Sequence, residues 1–245
     1  MITSLQSEKV KEWAKLQRRK GRRQSGTFLA EGFHLVEEAY NSNWEIAEII
    51  VEDGLDYSGW RDHFSAVTVS RKVLQHITRT ETPQGIAAVV KMKEPKEFAG
   101  DTVLLIDSLQ DPGNLGTIIR TADAAGFDMV LLGKGTVDLY NDKVIRATQG
   151  SLFHLPILQT NLLEKIPELK RNGFTVLASA LTDAVSFKEM KADDKTALIV
   201  GNEGAGVQNE LIESADQTVK IPIFGQAESL NVSVAAGILM YHLKE

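Results

Sequence analysis

Three short stretches of this 245-residue chain hold the residue types that chemistry needs. In "DPGNLGTIIRTADAAGF", Pro112, Gly113 and Gly116 shape a tight turn, Asn114 offers an amide, and Arg120 follows one to two turns into a helix. In "GNEGAGV", Gly201, Gly204 and Gly206 surround Glu203, and glycines so close together call for positive φ or a close backbone approach. Glu203 there reads as an acid, as a base, or as no more than the neighbour of a helix cap. In "FGQAESLNVSVAAGILMY", Ser229, Asn231 and Ser233 cluster where a helix begins. Ala235, Ala236 and Gly237 then leave its next turns small enough for close packing, onto a sheet or onto another subunit. Taken singly, each stretch is equally a capped helix or a tight turn.

Other chemistries drop out. Gly201, Gly204 and Gly206 give the order G-x-x-G-x-G, not the dinucleotide fingerprint, and "GRRQSG" lacks the lysine of a phosphate-binding loop. With no cysteine there is no disulfide framework, Cys-ligated zinc, iron–sulfur cluster or thiol nucleophile. His34, His63, His76, His154 and His242 form no i, i+4 metal pair and no evident triad, so no metal is expected. The first twenty residues lack the apolar run of a signal peptide, and no stretch approaches a membrane span. The reading is a soluble, cytoplasmic protein.

The elements that must position these stretches follow an alternating pattern. From Thr102, the runs "TVLLID", "MVLL", "FHLPIL", "FTVLAS", "TALIVG" and "QTVKIPI" read as strands, separated by helical segments and closed by a helix over "LNVSVAAGILMYHL". Apolar runs without alternation suit a parallel sheet buried on both faces. All three stretches then fall in loops after strands, where open α/β sheets bind ligands. Upstream, "IAEIIV", "AVTVS" and "GIAAVVK" with helices over "SRKVLQHI" and around Leu35, Val36, Ala39 and Tyr40 predict a smaller α/β unit. The charged segment Lys91–Asp101 reads as a linker, giving domains 1–95 and 100–245. Charge is uneven: the 33 acidic residues exceed the 27 basic, yet Met1–Ser25 holds eight basic residues against two acidic. A basic helix from Lys9 to Arg23 can neutralise phosphates whatever the total charge, or it is simply a solvated face.

In order and in spacing, the three stretches resemble the motifs of the SpoU/TrmH family of RNA 2′-O-ribose methyltransferases, within the SPOUT superfamily. The resemblance runs from Thr102 to Leu243, and "FLAEGFHLVEEA" with "TPQGIAAV" is similar to the ribosomal-protein-like substrate-binding domain of many members. It implies an α/β fold with a deep trefoil knot that binds S-adenosylmethionine. Backbone groups at Gly201, Ile221 and Leu230 would hold the cofactor, and Asn114, Arg120, Glu203, Ser229 and Asn231 would be the catalytic or substrate-organising residues. It also implies a homodimer with an active site shared between subunits. A guanidinium is a poor proton acceptor, so Arg120 is assigned to a neighbouring phosphate and to the developing alkoxide. Lys9, Lys15, Arg18, Arg19, Arg22 and Arg23 would supply RNA phosphate contacts. The separate N-terminal domain favours ribosomal RNA, with transfer RNA or a non-catalytic RNA-binding, ribosome-assembly role as alternatives.

Overall fold

The computed structural model describes residues 1–56, 66–93, 100–190 and 194–244. His63 and residues 94–99 of the expected linker lie outside the described residues. The chain divides into two compact units, the first made of Met1–Lys93 together with Asp138–Phe153, and the second of the remainder.

The first unit is built on a four-stranded sheet in the order β1-β4-β2-β3, from β1 (Thr27–Glu31), β2 (Ile46–Glu52), β3 (Ala66–Val69) and β4 (Ile86–Lys91). β4 pairs antiparallel with both β1 and β2, while β2 and β3 are parallel. Helices α1 (Glu8–Lys15) and α4 (Arg71–Thr78) bury Val10, Trp13, Val73, Leu74 and Ile77 against Ile50, Val69 and Ala87. The single basic helix expected from Lys9 to Arg23 is two, because α2 (Arg19–Ser25) turns back at Leu16–Arg18. Gly21 permits that turn: a Cβ at this position would stand 2.1 Å from the Lys15 carbonyl oxygen.

α3 (Phe33–Asn41) starts one residue after β1, so "FLAE" is strand and only the following residues are helix. Phe28 of β1 is buried among Tyr140, Trp44 and Phe153, with ring centroids at 4.7, 6.1 and 6.3 Å. Two of these rings come from the segment Asp138–Phe153, which contains α6 (Asp142–Thr148) and a 3₁₀ turn at Ser151–Phe153. Trp44 Nε1 donates to the Phe153 carbonyl at 3.0 Å, which fixes the end of that segment within the unit.

The second unit holds a seven-stranded sheet in the order β7-β6-β5-β10-β8-β11-β9. Its strands are β5 (Thr102–Ile106), β6 (Met129–Leu132), β7 (Ile157–Gln159), β8 (Thr175–Ser179), β9 (Val185–Ser186), β10 (Thr196–Val200) and β11 (Gln217–Lys220). Every pairing among them is parallel. β6 and β10 are buried along their whole length, as two-sided burial of a parallel sheet requires. The strand expected over "FHLPIL" is confined to β7, because Phe153 is drawn into the aromatic cluster of the first unit. α7 (Leu162–Arg171) and α8 (Asn209–Ser214) bury Leu162, Ile166, Leu169 and Leu211 against one set of strand side chains. α5 (Pro112–Ala124) packs on α9 (Val232–His242) so closely that a Cβ on Gly237 would lie 3.5 Å from Thr121 Cγ2. The chain runs from β5 outward to β6 and β7, then returns to place β10 at the other side of β5, so the order reverses between β5 and β10.

Candidate functional site at the carboxyl edge of the parallel sheet

A reversal of strand order opens a crevice at the carboxyl ends of the two strands concerned. Here the loops leaving β5 and β10 meet in it. Asp107 follows β5 directly, is 2% exposed, and accepts from the Gln208 backbone N–H at 2.8 Å and from Gln208 Nε2 at 2.5 Å, tying the start of α8 to the end of β5. Sequence reasoning missed this pair; its only signal is an acidic residue closing the apolar run "LLID". Ser108 follows with φ 48°, and its carbonyl accepts from Asn202 Nδ2 at 2.9 Å. Asn202 Oδ1 receives the N–H groups of Gly204 and Ala205, at 2.9 and 3.0 Å, and its backbone exchanges two bonds with Gly206. The glycine loop is thus folded around one asparagine. Gly201 serves the loop in another way. A Cβ on it would fall 2.1 to 2.3 Å from backbone atoms of Gly206 and Val207, so no other residue fits where the loop folds back on its own start.

Glu203 reaches across to the first loop. It accepts the backbone N–H groups of Gln110 at 3.1 Å and Asp111 at 2.8 Å, and Asn114 Nδ2 at 3.2 Å. Burial raises its pKa, but the amide hydrogen bonds together outweigh that, and the carboxyl is held below its ordinary value. These three donors tie the carboxylate to the turn they belong to. The turn it clamps opens α5, where Asp111 caps the helix by accepting from Asn114 N–H at 2.8 Å and Pro112 occupies the position that needs no N–H donor.

The third loop joins through Asn114, whose Oδ1 accepts from Asn231 Nδ2 at 3.1 Å. Asn231 caps α9, its Oδ1 accepting from Ser233 N at 2.9 Å and Ser233 Oγ at 2.5 Å. Glu203, Asn114 and Asn231 therefore form one hydrogen-bonded line across three loops separated by up to 117 positions in the chain. Arg120 lies further along α5, exposed, with no hydrogen-bond or ion-pair partner among the described residues. Ser229 is exposed and makes no hydrogen bond to this line. Gly201 and Ile221 follow β10 and β11, which β8 separates, so they share an edge without touching strands. Leu230 is partly exposed beside Asn231. Between Pro222 and Leu230 no backbone N–H or C=O pairs with another described residue.

Of the six expected RNA-contacting cations, Lys9, Lys15, Arg18, Arg19 and Arg23 are exposed, and Lys9 is paired with Glu48. Arg22 departs from them. It is 4% exposed, donates from Nη1 to the Leu16 carbonyl at 2.7 Å, and pairs through Nη2 with Asp138, so its charge is neutralised inside the unit. Among the described residues no three His, Asp or Glu side chains gather as a metal ion would need, and no helix is long and apolar enough to cross a membrane.

Fold and site together define an open α/β protein whose strand-end loops meet where the strand order reverses, the place at which such sheets take ligands. Residues 101–241 match the SpoU rRNA Methylase family, and residues 7–88 match the MRM3-like substrate binding domain. The chain is 49% identical over 244 residues to the 23S rRNA (guanosine(2553)-2′-O)-methyltransferase of Bacillus subtilis, an alignment covering 99% of this chain and 98% of that one. The AdoMet-bound rRNA methyltransferase from Sinorhizobium meliloti superposes with a TM-score of 0.90 at 31% identity, covering 99% of this chain and 96% of that chain. The A. aeolicus TrmH/SpoU tRNA modifying enzyme matches with a TM-score of 0.53 at 33% identity, covering 60% of this chain and 75% of that chain. The chain belongs to the SpoU rRNA methylase family.

Proposed function

We propose that this chain moves the methyl group of S-adenosylmethionine to a guanosine ribose 2′-hydroxyl in 23S ribosomal RNA. The observation that carries the reading is the line Glu203–Asn114–Asn231, which locks three strand-end loops into one site. The ribosomal substrate is favoured by extent: likeness to the rRNA enzymes covers both units, whereas likeness to the tRNA enzyme stops at 60% of the chain.

The residues present suit the cofactor. The unpaired backbone groups from Pro222 to Leu230 offer donors and acceptors for an adenosyl group, with Gly201, Ile221 and Leu230 as the expected contacts. Bound there, S-adenosylmethionine supplies a methyl group on a sulfonium, open to in-line displacement. The chain's own part is positioning. Arg120, free and exposed, takes a phosphate oxygen pair beside the target ribose and favours the alkoxide as the 2′-hydroxyl gives its proton to solvent. Asn114 and Asn231 orient the ribose, Ser229 completes the loop surface, and Glu203 holds Asn114 rather than taking a proton. Knotting of the C-terminal segment, which the family resemblance implies, belongs to the same proposal.

The working form is a homodimer. Val234, Ile238 and Tyr241 lie at i, i+4 and i+7 on α9 and are 52%, 37% and 52% exposed, an apolar stripe that one chain leaves uncovered. One preparation tests both points: with labelled S-adenosylmethionine and 23S rRNA transcripts, methyl is expected at a single alkali-resistant guanosine linkage, and sedimentation at twice 27.0 kDa. Label on tRNA alone sinks the ribosomal reading; label on no RNA sinks the enzyme reading.

A further inference from the structure

Three non-glycine residues of the first unit, Asn43, Arg79 and Gln149, hold positive φ, and of these only Arg79 carries a charge. Arg79 caps α4 with φ 56° and ψ 29°, the left-handed position where glycine is the ordinary occupant. A local outlier of this kind is the proper starting point for a functional hypothesis. Its side chain is steered with equal definition. Arg79 Nε donates to Gln17 Oε1 at 2.5 Å, while Gln17 Nε2 donates to the carbonyls of His76 and Ile77 at 2.6 and 2.9 Å. Those two carbonyls belong to the last turn of α4, which lacks helical partners for them. Gln17 sits in the elbow between α1 and α2, so the elbow and the end of α4 are pinned into one surface through a single fully used amide.

The result is a guanidinium held by Nε alone. Nη1 and Nη2 have no partner among the described residues, and the side chain is exposed, as is that of Arg18 in the same elbow. Two outward nitrogens on a fixed planar fork match two oxygens of a phosphate, a geometry that a lysine cannot supply. The left-handed cap itself asks for no cation, since Gln149 ends α6 in the same conformation with a neutral side chain. We propose that Arg79, steered by Gln17, is an RNA phosphate anchor of the first unit, acting together with Arg18. The proposal rests on the reading that the chain methylates 23S rRNA.

The test uses the full chain and a 23S rRNA transcript that the wild type methylates. In Arg79→Gly the thermal midpoint should stay or rise, because backbone strain is relieved. Affinity for the transcript should fall about tenfold, as loss of a charge-assisted contact implies. The slope of log affinity against log salt should fall by roughly 0.7 to 0.9, one phosphate's worth. KM for RNA should rise while kcat at saturating RNA holds. Arg79→Lys, which keeps the charge and the fold's demands but loses the fork, should bind several-fold more weakly than wild type. Wild-type affinity and salt slope in both variants overturn the proposal. A wild-type chain that methylates no 23S transcript overturns the ribosomal reading instead.

Discussion

The two units reach their functions by different means. In the second, the proposed site rests on residues that have to be of one type, such as Gly201 against the backbone of its own loop and Asn114 between a carboxylate and a second amide. In the first, the proposed RNA contacts rest on charge, and charge is degenerate: Arg22 and Arg23 are neighbours, yet one is buried against Asp138 and the other faces solvent. A motif announces its role through residue type and spacing, whereas a cation announces only its sign. The comparison can be broken from either end.

The largest effect is expected in the second unit. Arg120→Ala should lower kcat by about 10²–10³, the usual loss when one group that stabilises developing charge is removed. Binding of S-adenosylhomocysteine, followed by calorimetry, should be unchanged, because Arg120 makes no contact that shapes the loops. Equal loss of ligand binding and turnover would show that Arg120 belongs to the architecture, and the contrast between the units would weaken.

In the first unit the next largest effect should be on stability. Arg22→Ala leaves Asp138 without its partner in a nearly closed setting, and removal of one member of a buried pair costs about 3 kcal/mol. Arg22 Nε is buried without a hydrogen-bond partner, so the pair is imperfectly satisfied to begin with. Replacing both residues by apolar ones, Arg22→Met with Asp138→Leu, should therefore recover most of the loss in a denaturant titration. If Arg22→Ala instead lowered RNA affinity with no change in stability, the division between structural and RNA-facing cations would be misplaced.

How much of this was legible depended on the distance over which each feature is decided. The parallel sheet and a helix beginning near Asn231 are each legible within a dozen residues, whereas Pro112, Gly113 and Gly116, read as a tight turn, lie in the first turns of α5. The break between α1 and α2 is decided by the approach of Gly21 to the Lys15 carbonyl, which no periodicity reveals. Placement of Phe153 in the first unit depends on Phe28 and Trp44, more than a hundred positions earlier. The Asp107–Gln208 pair spans 101 positions and has no spacing signature at all. β9 and α8, of two and six residues, are too short to carry a pattern. Of the site itself, the three loops were visible, but not that Glu203 accepts three donors from the first of them.

That set of three donors gives the smallest and most specific prediction. The folded pKa of Glu203 lies below its ordinary value of 4.5, because the N–H groups of Asp111 and Gln110 and the Asn114 amide outweigh the effect of burial. A carboxyl depressed in the folded state binds its proton more readily when unfolded, so its contribution to stability is present above the unfolded pKa and lost as pH falls through the folded one. Glu203→Gln keeps the shape but turns one acceptor into a donor facing an N–H, and the charge is gone. Wild type should therefore be the more stable protein at neutral pH, with the gap closing below about pH 4.5 as Glu203 takes up its proton. Thermal midpoints of the two proteins from pH 7 downward measure that gap. A difference that persists unchanged into acid would mean that the carboxylate charge does not hold the loop, and that Glu203 has a role other than fixing Asn114.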